Sequence, residues 1–323
     1  MNCELFAKDL AAKPAALRGL AERLEAGPVW GQTLTPASSI VLLGMGSSHY
    51  ANSVCAARLR AKGINAVAEI ASSEVLPAVN QHTIVIGVSA SGGSVETLTA
   101  LATYRGRCSV IALTNTAGSA ITSKVDQVVE MLAGAENSGV ACRSFQITLG
   151  LLLALESQLL GGVEVPMLLR GAADAEEDLL GRLDTWLPMV RELMLGPQGT
   201  YAVAPAARFS SAQQSALMLR ECPRLPAFAC ETGDWSHVDV YLTKTTDYRM
   251  LLFAGSPWVA PLMGWVTERK STVVAVGADV AGSRMNIRYR GDQTEEIRLL
   301  AEVAVAEQLA LLSWSESGAP IID

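Results

Sequence analysis

Two short stretches of serine and glycine hold most of this chain's capacity for ligand chemistry. Ser89-Ala90-Ser91-Gly92-Gly93-Ser94 directly follows the apolar run Thr83-Ile84-Val85-Ile86-Gly87-Val88, and Gly44-Met45-Gly46-Ser47-Ser48 follows Ser39-Ile40-Val41-Leu42-Leu43. The chemistry such stretches offer is anion binding. At a strand-to-helix junction, free backbone N–H groups and the positive end of the helix dipole converge, glycine allows close approach, and serine hydroxyls add donors. A phosphate is held there without a cation. Taken singly, each junction is also an ordinary connection, because serine caps many helices and glycine fills many turns. Two of them at strand ends point to one crevice at the carboxyl edge of a parallel sheet.

The elements that must position these turns follow from apolar patterning. Short, β-branched runs nearly free of polar residues read as buried parallel strands. They are expected at Ile40–Leu43, Ala66–Ile70, Thr83–Val88, Ser109–Leu113 and Gln127–Leu132, with helical patterns between most of them and a long helix over Arg143–Leu160. This alternation implies right-handed βαβ crossovers. Residues Met1–Gly27 read as two short amphipathic helices broken near Lys13-Pro14, packing on a partner or on the body of the fold.

The pattern then restarts. Strands are expected at Tyr201–Ala204, Ala227–Cys230, Met250–Ala254 and Thr272–Val276, and helices at Ala175–Leu187, Ser210–Arg220, Pro261–Glu268 and Glu295–Trp314. The reading is two copies of one α/β fold, three-layer α/β/α domains of flavodoxin type with parallel sheets. Its divisions are amino-terminal helices at 1–27, a first domain at 28–165, a helical connection at 166–199 and a second domain at 200–323. The second copy's first strand leads into Ala204-Pro205-Ala206-Ala207, without serine or glycine. One phosphate site per chain is therefore expected.

Composition bounds the partners. Half of the 323 residues are hydrophobic and the mean hydropathy is +0.28, which fits helices packed on buried sheets. The longest apolar stretch, Ile147–Leu155, ends at Glu156 and falls short of the roughly 20 residues that cross a bilayer. Glu4, Lys8 and Asp9 interrupt any basic-then-apolar leader. The expectation is a cytoplasmic protein with no membrane partner. The net charge of −7 and the lack of a Lys/Arg cluster exclude a nucleic-acid backbone as partner. Six cysteines without a CxxC pair read as reduced core residues, and three histidines without paired spacing leave no metal site. Gly44-Met45-Gly46 with Glu69 downstream allows a dinucleotide reading, but Ser47, Ser48, His49 and Tyr50 stand where the third glycine belongs. No cofactor is expected.

In order along the chain, further motifs accompany the two turns. Ala133-Gly134-Ala135-Glu136 precedes Gly139-Val140-Ala141-Cys142-Arg143-Ser144-Phe145; Ala216-Leu217-Met218-Leu219-Arg220-Glu221 and Gly233-Asp234-Trp235-Ser236-His237 follow in the second half. Together these resemble the double-domain members of the sugar isomerase (SIS) family, over nearly the whole chain. The resemblance implies two SIS domains. It also implies that Gly46, Ser47, Ser48, Ser89, Ser91 and Ser94, with backbone amides near Ala90, bind a sugar phosphate, and that Val140 lies along the sugar. It makes Glu221 the proton-transfer base and His237 the ring-opening histidine, reaching in from the neighbouring subunit of a homodimer. A buried carboxylate moving a proton between C1 and C2, and an imidazole protonating the ring oxygen, suit an aldose to ketose shift. On their own residues, Glu221 equally reads as a solvated helix end and His237 as a residue bonded to its own loop.

The chain also departs from the pattern. Met218 replaces a lysine, Val238-Asp239 replaces Gly-Pro after the histidine, Gly93 replaces an acidic residue, and the tail from Glu316 to Asp323 has no lysine. With no glutaminase segment ahead of the first domain, glutamine amidotransfer is not expected. The functions that follow are a phosphosugar isomerase, with or without deamination, acting through an enediol or enolamine, and as the alternative a non-catalytic sugar-phosphate-binding regulatory protein.

Overall fold

The computed structural model describes residues 1–31, 34–35, 39–162 and 164–317. Positions 32–33, 36–38, 163 and 318–323, where expectations above reach them, lie outside the described residues. The chain opens with α1 (Cys3–Ala11) and α2 (Lys13–Ala26). Then come β1 (Ser39–Gly44), α3 (Gly46–Ala61), β2 (Ala66–Ile70), β3 (Thr83–Val88), α4 (Val95–Tyr104), β4 (Ser109–Thr114), β5 (Gln127–Glu130) and α5 (Arg143–Leu160). Two helices follow, α6 (Val165–Leu180) and α7 (Leu183–Met194). The second series is β6 (Thr200–Ala204), α8 (Phe209–Glu221), β7 (Ala227–Glu231), β8 (Arg249–Phe253), α9 (Val259–Glu268), β9 (Thr272–Val276), β10 (Met285–Ile287), α10 (Glu295–Ala301) and α11 (Ala304–Ser317).

Each series builds a five-stranded sheet, ordered β2-β1-β3-β4-β5 in the first and β10-β9-β8-β6-β7 in the second. All strand pairs in both sheets are parallel. Numbered within its own series, the second order is the first read backwards. Both are the flavodoxin-type order, in which the chain leaves the first strand toward one edge and returns to build toward the other. The point of reversal lies between β1 and β3 in the first sheet and between β6 and β8 in the second.

The fold resolves into two compact units. One contains the first sheet and comprises Ala15–Glu136 and Ala141–Arg170. The other contains the second sheet and comprises Met1–Pro14, Asn137–Val140 and Gly171 to the carboxyl end. In the first unit, Val41, Leu43, Val85, Val110 and Ala112 from the sheet pack against Leu101, Tyr104 and Ile121. Gly87 interrupts the β-branched run of β3 for a packing reason: a Cβ there would stand 2.6 Å from a methyl of Leu101. The glycine lets α4 press onto the strand whose end carries the serine turn. In the second unit, Val203, Met250, Leu252, Val273 and Ala275 pack with Trp235, Tyr248 and Leu262. No helix among the described residues is long and apolar enough to cross a membrane.

The structure differs from the expected elements in three places. The helix expected at Glu295–Trp314 is two, α10 and α11, separated at Glu302 and Val303. Glu302 is fully buried there and its carboxylate accepts from Arg208, so the chain turns where that charge must point inward. The piece expected at Ala175–Leu187 is the end of α6 and the start of α7. β10 was not expected, because three residues carry no readable alternation.

Candidate functional site

In the first unit, β1 and β3 are neighbours, and Gly44 pairs with Val88 at their carboxyl ends. The two serine turns therefore start side by side at the reversal point of the sheet, about 5 Å apart as hydrogen-bonded strands require. α3 begins at Gly46, whose φ of +48° favours glycine, and no side chain caps its first turn. The positive end of that helix is left open to an anion. Gly44 is itself a point of close approach, since a Cβ there would stand 2.9 Å from Cβ of Ser48 and 3.0 Å from Nδ2 of Asn52.

The second turn is tied down bond by bond. The Ser89 amide donates to the Leu113 carbonyl at 3.0 Å, and the Gly92 amide closes the turn on the Ser89 carbonyl at 3.0 Å. Ser91 Oγ accepts from the Gly93 amide at 3.3 Å. Ser94 caps α4: its hydroxyl accepts from the Thr97 amide at 3.3 Å and donates to Glu96 at 2.9 Å. Hydrogen bonds from its own backbone amide and from Ser94 hold the Glu96 carboxyl below the usual carboxylate range. The Ala90 carbonyl receives three donors, the Asn115 amide at 3.0 Å, Thr114 Oγ1 at 3.3 Å and Thr116 Oγ1 at 3.2 Å. In a planar trans peptide the Ser91 N–H points opposite to that carbonyl. The three donors thus aim the Ser91 amide away from the 114–116 loop, toward the turn's free face.

Several residues here were not singled out by sequence reasoning. Thr114, Asn115, Thr116 and Ser119 support the turn from the end of β4, and their only sequence signal is a polar run after a buried strand. Asn52 lies one helical turn beyond Ser48, is fully buried, and neither end of its amide has a partner among the described residues. His49 is half-buried. Burial holds its imidazole below the usual histidine range while Glu69 pulls the other way, and its Nδ1 has no partner among the described residues. Glu136, in the Ala-Gly-Ala-Glu motif, accepts from the Cys142 amide at 2.8 Å and the Ser144 amide at 3.1 Å, and so caps α5.

The other expected site residues belong to the second unit. Glu221 is the last residue of α8 and is half-buried. His237 ends the short turn Asp234–Ser236, with its amide on the Asp234 carbonyl at 2.8 Å. The imidazole is exposed and bonds nothing among the described residues, so only its backbone serves its own loop. That loop is firmly seated. Glu231 accepts from the Gly233 and Asp234 amides, Trp235 Nε1 donates to the Tyr248 hydroxyl at 2.8 Å, and that hydroxyl donates to Asp239 at 2.9 Å. Burial raises the Asp239 carboxyl, opposed by the Tyr248 bond. Val140 is fully buried, with its amide on Ser138 Oγ at 3.1 Å. Met218 is fully buried as well, which accounts for an apolar residue at its position on α8.

A SIS-domain family model matches residues 33–156, the stretch that carries both serine turns. This stretch is a SIS domain. The second sheet repeats its strand order. A sequence relative is glutamine–fructose-6-phosphate aminotransferase (isomerizing) of Aeropyrum pernix, 28% identical over 221 residues, covering 64% of this chain and 36% of the relative. The chain thus spans only about a third of that protein's length. Among solved structures, tagatose-6-phosphate ketose/aldose isomerase from Escherichia coli superposes with a TM-score of 0.84 at 16% identity, covering 99% of this chain and 96% of that one. Glucosamine-6-phosphate deaminase from Thermotoga maritima gives 0.75 at 16% identity, covering 97% and 95%. These two likenesses show that this two-sheet α/β fold runs the length of the chain.

Proposed function

We propose that this SIS-domain protein is a phosphosugar isomerase that converts an aldose or amino sugar phosphate through an enediol or enolamine. The observation that carries the reading is the pair of serine turns set side by side at the reversal point of the first sheet. Ser48, Ser89, Ser91 and Ser94 hold the phosphate, with the Ser91 amide pre-aimed by the grip on the Ala90 carbonyl. Glu221 moves the proton between C1 and C2, and His237, exposed on a rigid loop, protonates the ring oxygen of a site in the partner subunit of a homodimer. The names of the relative and of the two solved structures, an isomerizing aminotransferase, a ketose/aldose isomerase and a deaminase, support this substrate class.

The test is a panel of sugar and amino sugar phosphates followed by NMR in D₂O. The enzyme exchanges the C2 hydrogen of its substrate with solvent, and Glu221→Gln lowers turnover by about 10²- to 10⁴-fold with affinity little changed. Tight binding of a panel member with no exchange or conversion of any would instead support a non-catalytic sugar-phosphate sensor. Met218 favours that second reading, because a buried thioether supplies no charge where the related pattern has a lysine.

A further inference from the structure

The reversal point of the second sheet carries no serine turn, yet it has an organised strand-turn-helix junction. Ala254-Gly255-Ser256-Pro257-Trp258 joins β8 to α9. The Ala254 amide donates to the Val276 carbonyl at 3.0 Å, as the Ser89 amide does to Leu113 in the first unit. α9 has ten residues and no side-chain cap, so its positive end faces this turn unneutralised. Gly255 is exposed and has a φ of +125°.

Two guanidinium groups converge on that glycine. A Cβ at Gly255 would stand 2.8 Å from Nη2 of Arg208 and 2.8 Å from Nη1 of Arg298. Arg208 is 1% exposed. Its Nη1 donates to Glu302 at 2.5 Å and its Nη2 to the Ala254 carbonyl, while its Nε has no partner among the described residues. Arg298 donates from Nε to the Asp292 carbonyl and from Nη2 to the Gly277 carbonyl at 2.9 Å, which leaves Nη1 unpaired among the described residues. Ser256 Oγ accepts from the Trp258 amide at 3.2 Å and keeps its proton to donate. Arg208 and Arg298 face Glu302, and Asp292, which also acts on Arg298, is paired with Arg288, so the cluster keeps positive charge beside an exposed turn.

We propose that this junction is a second anion site, for a phosphate monoester, built on Arg298 and Arg208 in place of the serines of the first unit. A dianion with three terminal oxygens matches the donors available: Arg298 Nη1, Ser256 Oγ and the Ala260 amide in the first turn of α9, where Val259 and Leu262 already donate to backbone carbonyls and Pro261 has no N–H. A monoanionic carboxylate has fewer acceptors to satisfy them. None of its residues is among the proposed isomerase residues, so it suits a second phosphorylated metabolite acting as effector.

The test is calorimetry of inorganic phosphate on the full chain. Wild type is expected to bind two phosphates per chain, and Ser89→Ala with Ser91→Ala to leave one. Adding Arg298→Gln to that double variant should weaken the remaining binding at least tenfold. Because Arg298 also holds the Gly277 and Asp292 carbonyls, Ser256→Asp provides an independent variant. It keeps an acceptor for the Trp258 amide, leaves every arginine bond in place, and should abolish the same binding by charge, with thermal melts confirming the fold. Binding that survives the serine variants unchanged but is lost in Arg298→Gln supports this site while removing the first one. Loss of all phosphate binding in the serine double variant overturns the proposal and leaves the arginines as a closure of the strand ends. Residual binding indifferent to both added changes overturns it too.

Discussion

Gly92 and Gly93 stand next to each other in the serine turn and meet opposite constraints. A Cβ at Gly92 would fall 1.9 Å from Ser119 Oγ, on a backbone with φ of +64°, whereas a Cβ at Gly93 meets nothing nearer than Ser91 Oγ at 3.9 Å. Gly92→Ala should cost about 1–3 kcal/mol of stability and loosen the turn, while Gly93→Ala should stay within about 0.5 kcal/mol of wild type. Chemical denaturation of the two variants checks the contrast. Phosphate affinity should also depend on the serines: Ser89→Ala with Ser91→Ala should weaken sugar-phosphate binding by about 2–4 kcal/mol, read by calorimetry. His49 makes a pH prediction. Its proton affinity is lowered in the folded state by burial, so the unfolded chain binds the proton more readily and stability falls as pH drops below the ordinary histidine value of about 6.5. Thermal melts of His49→Gln should show a shallower loss across that range. An unchanged slope would mean that another group sets it.

At the scale of elements, the placement of α3 depends on α5. Glu156, buried on α5, accepts from Arg58 Nε at 2.7 Å and Nη2 at 3.1 Å on α3, and also pairs with Lys62, which caps the end of α3. Burial raises its carboxyl, and hydrogen bonds from Arg58 and Lys62 outweigh that and lower it. A carboxyl lowered on folding contributes stability above its unfolded value, near pH 4.3, and loses it as pH falls through the folded value. Glu156→Gln should therefore cost roughly 3 kcal/mol at neutral pH and less in acid, measured by denaturant melts at both. Because α3 opens on Ser47 and Ser48, phosphate affinity should fall with it. The bounds of α5 were legible at Arg143–Leu160, since a long periodic run before a glycine pair is a strong local signal. The break between α10 and α11 was not, because it answers to Arg208, 94 residues away.

For the whole molecule, the proposed sharing of a site between two subunits has a direct consequence. Mixed and re-equilibrated Glu221→Gln and His237→Asn chains should recover about a quarter of wild-type sites, since half the dimers pair the two variants and each such dimer has one intact site. Sedimentation at micromolar concentration should show the dimer itself. Activity that stays at the level of the separate variants would place both residues in one subunit. The sequence by itself determined the strand-turn-helix succession, the doubled α/β series and the serine turns, because buried parallel strands, amphipathic helices and turns each write a short-range pattern. Only the tertiary structure decided that β1 and β3 lie side by side, that a loop after β4 grips the Ala90 carbonyl, and that Arg208, Arg298 and Glu302 meet beside Gly255. Those are contacts between residues far apart in the chain. They depend on which strands become neighbours and where single side chains reach, and neither leaves a period in the sequence.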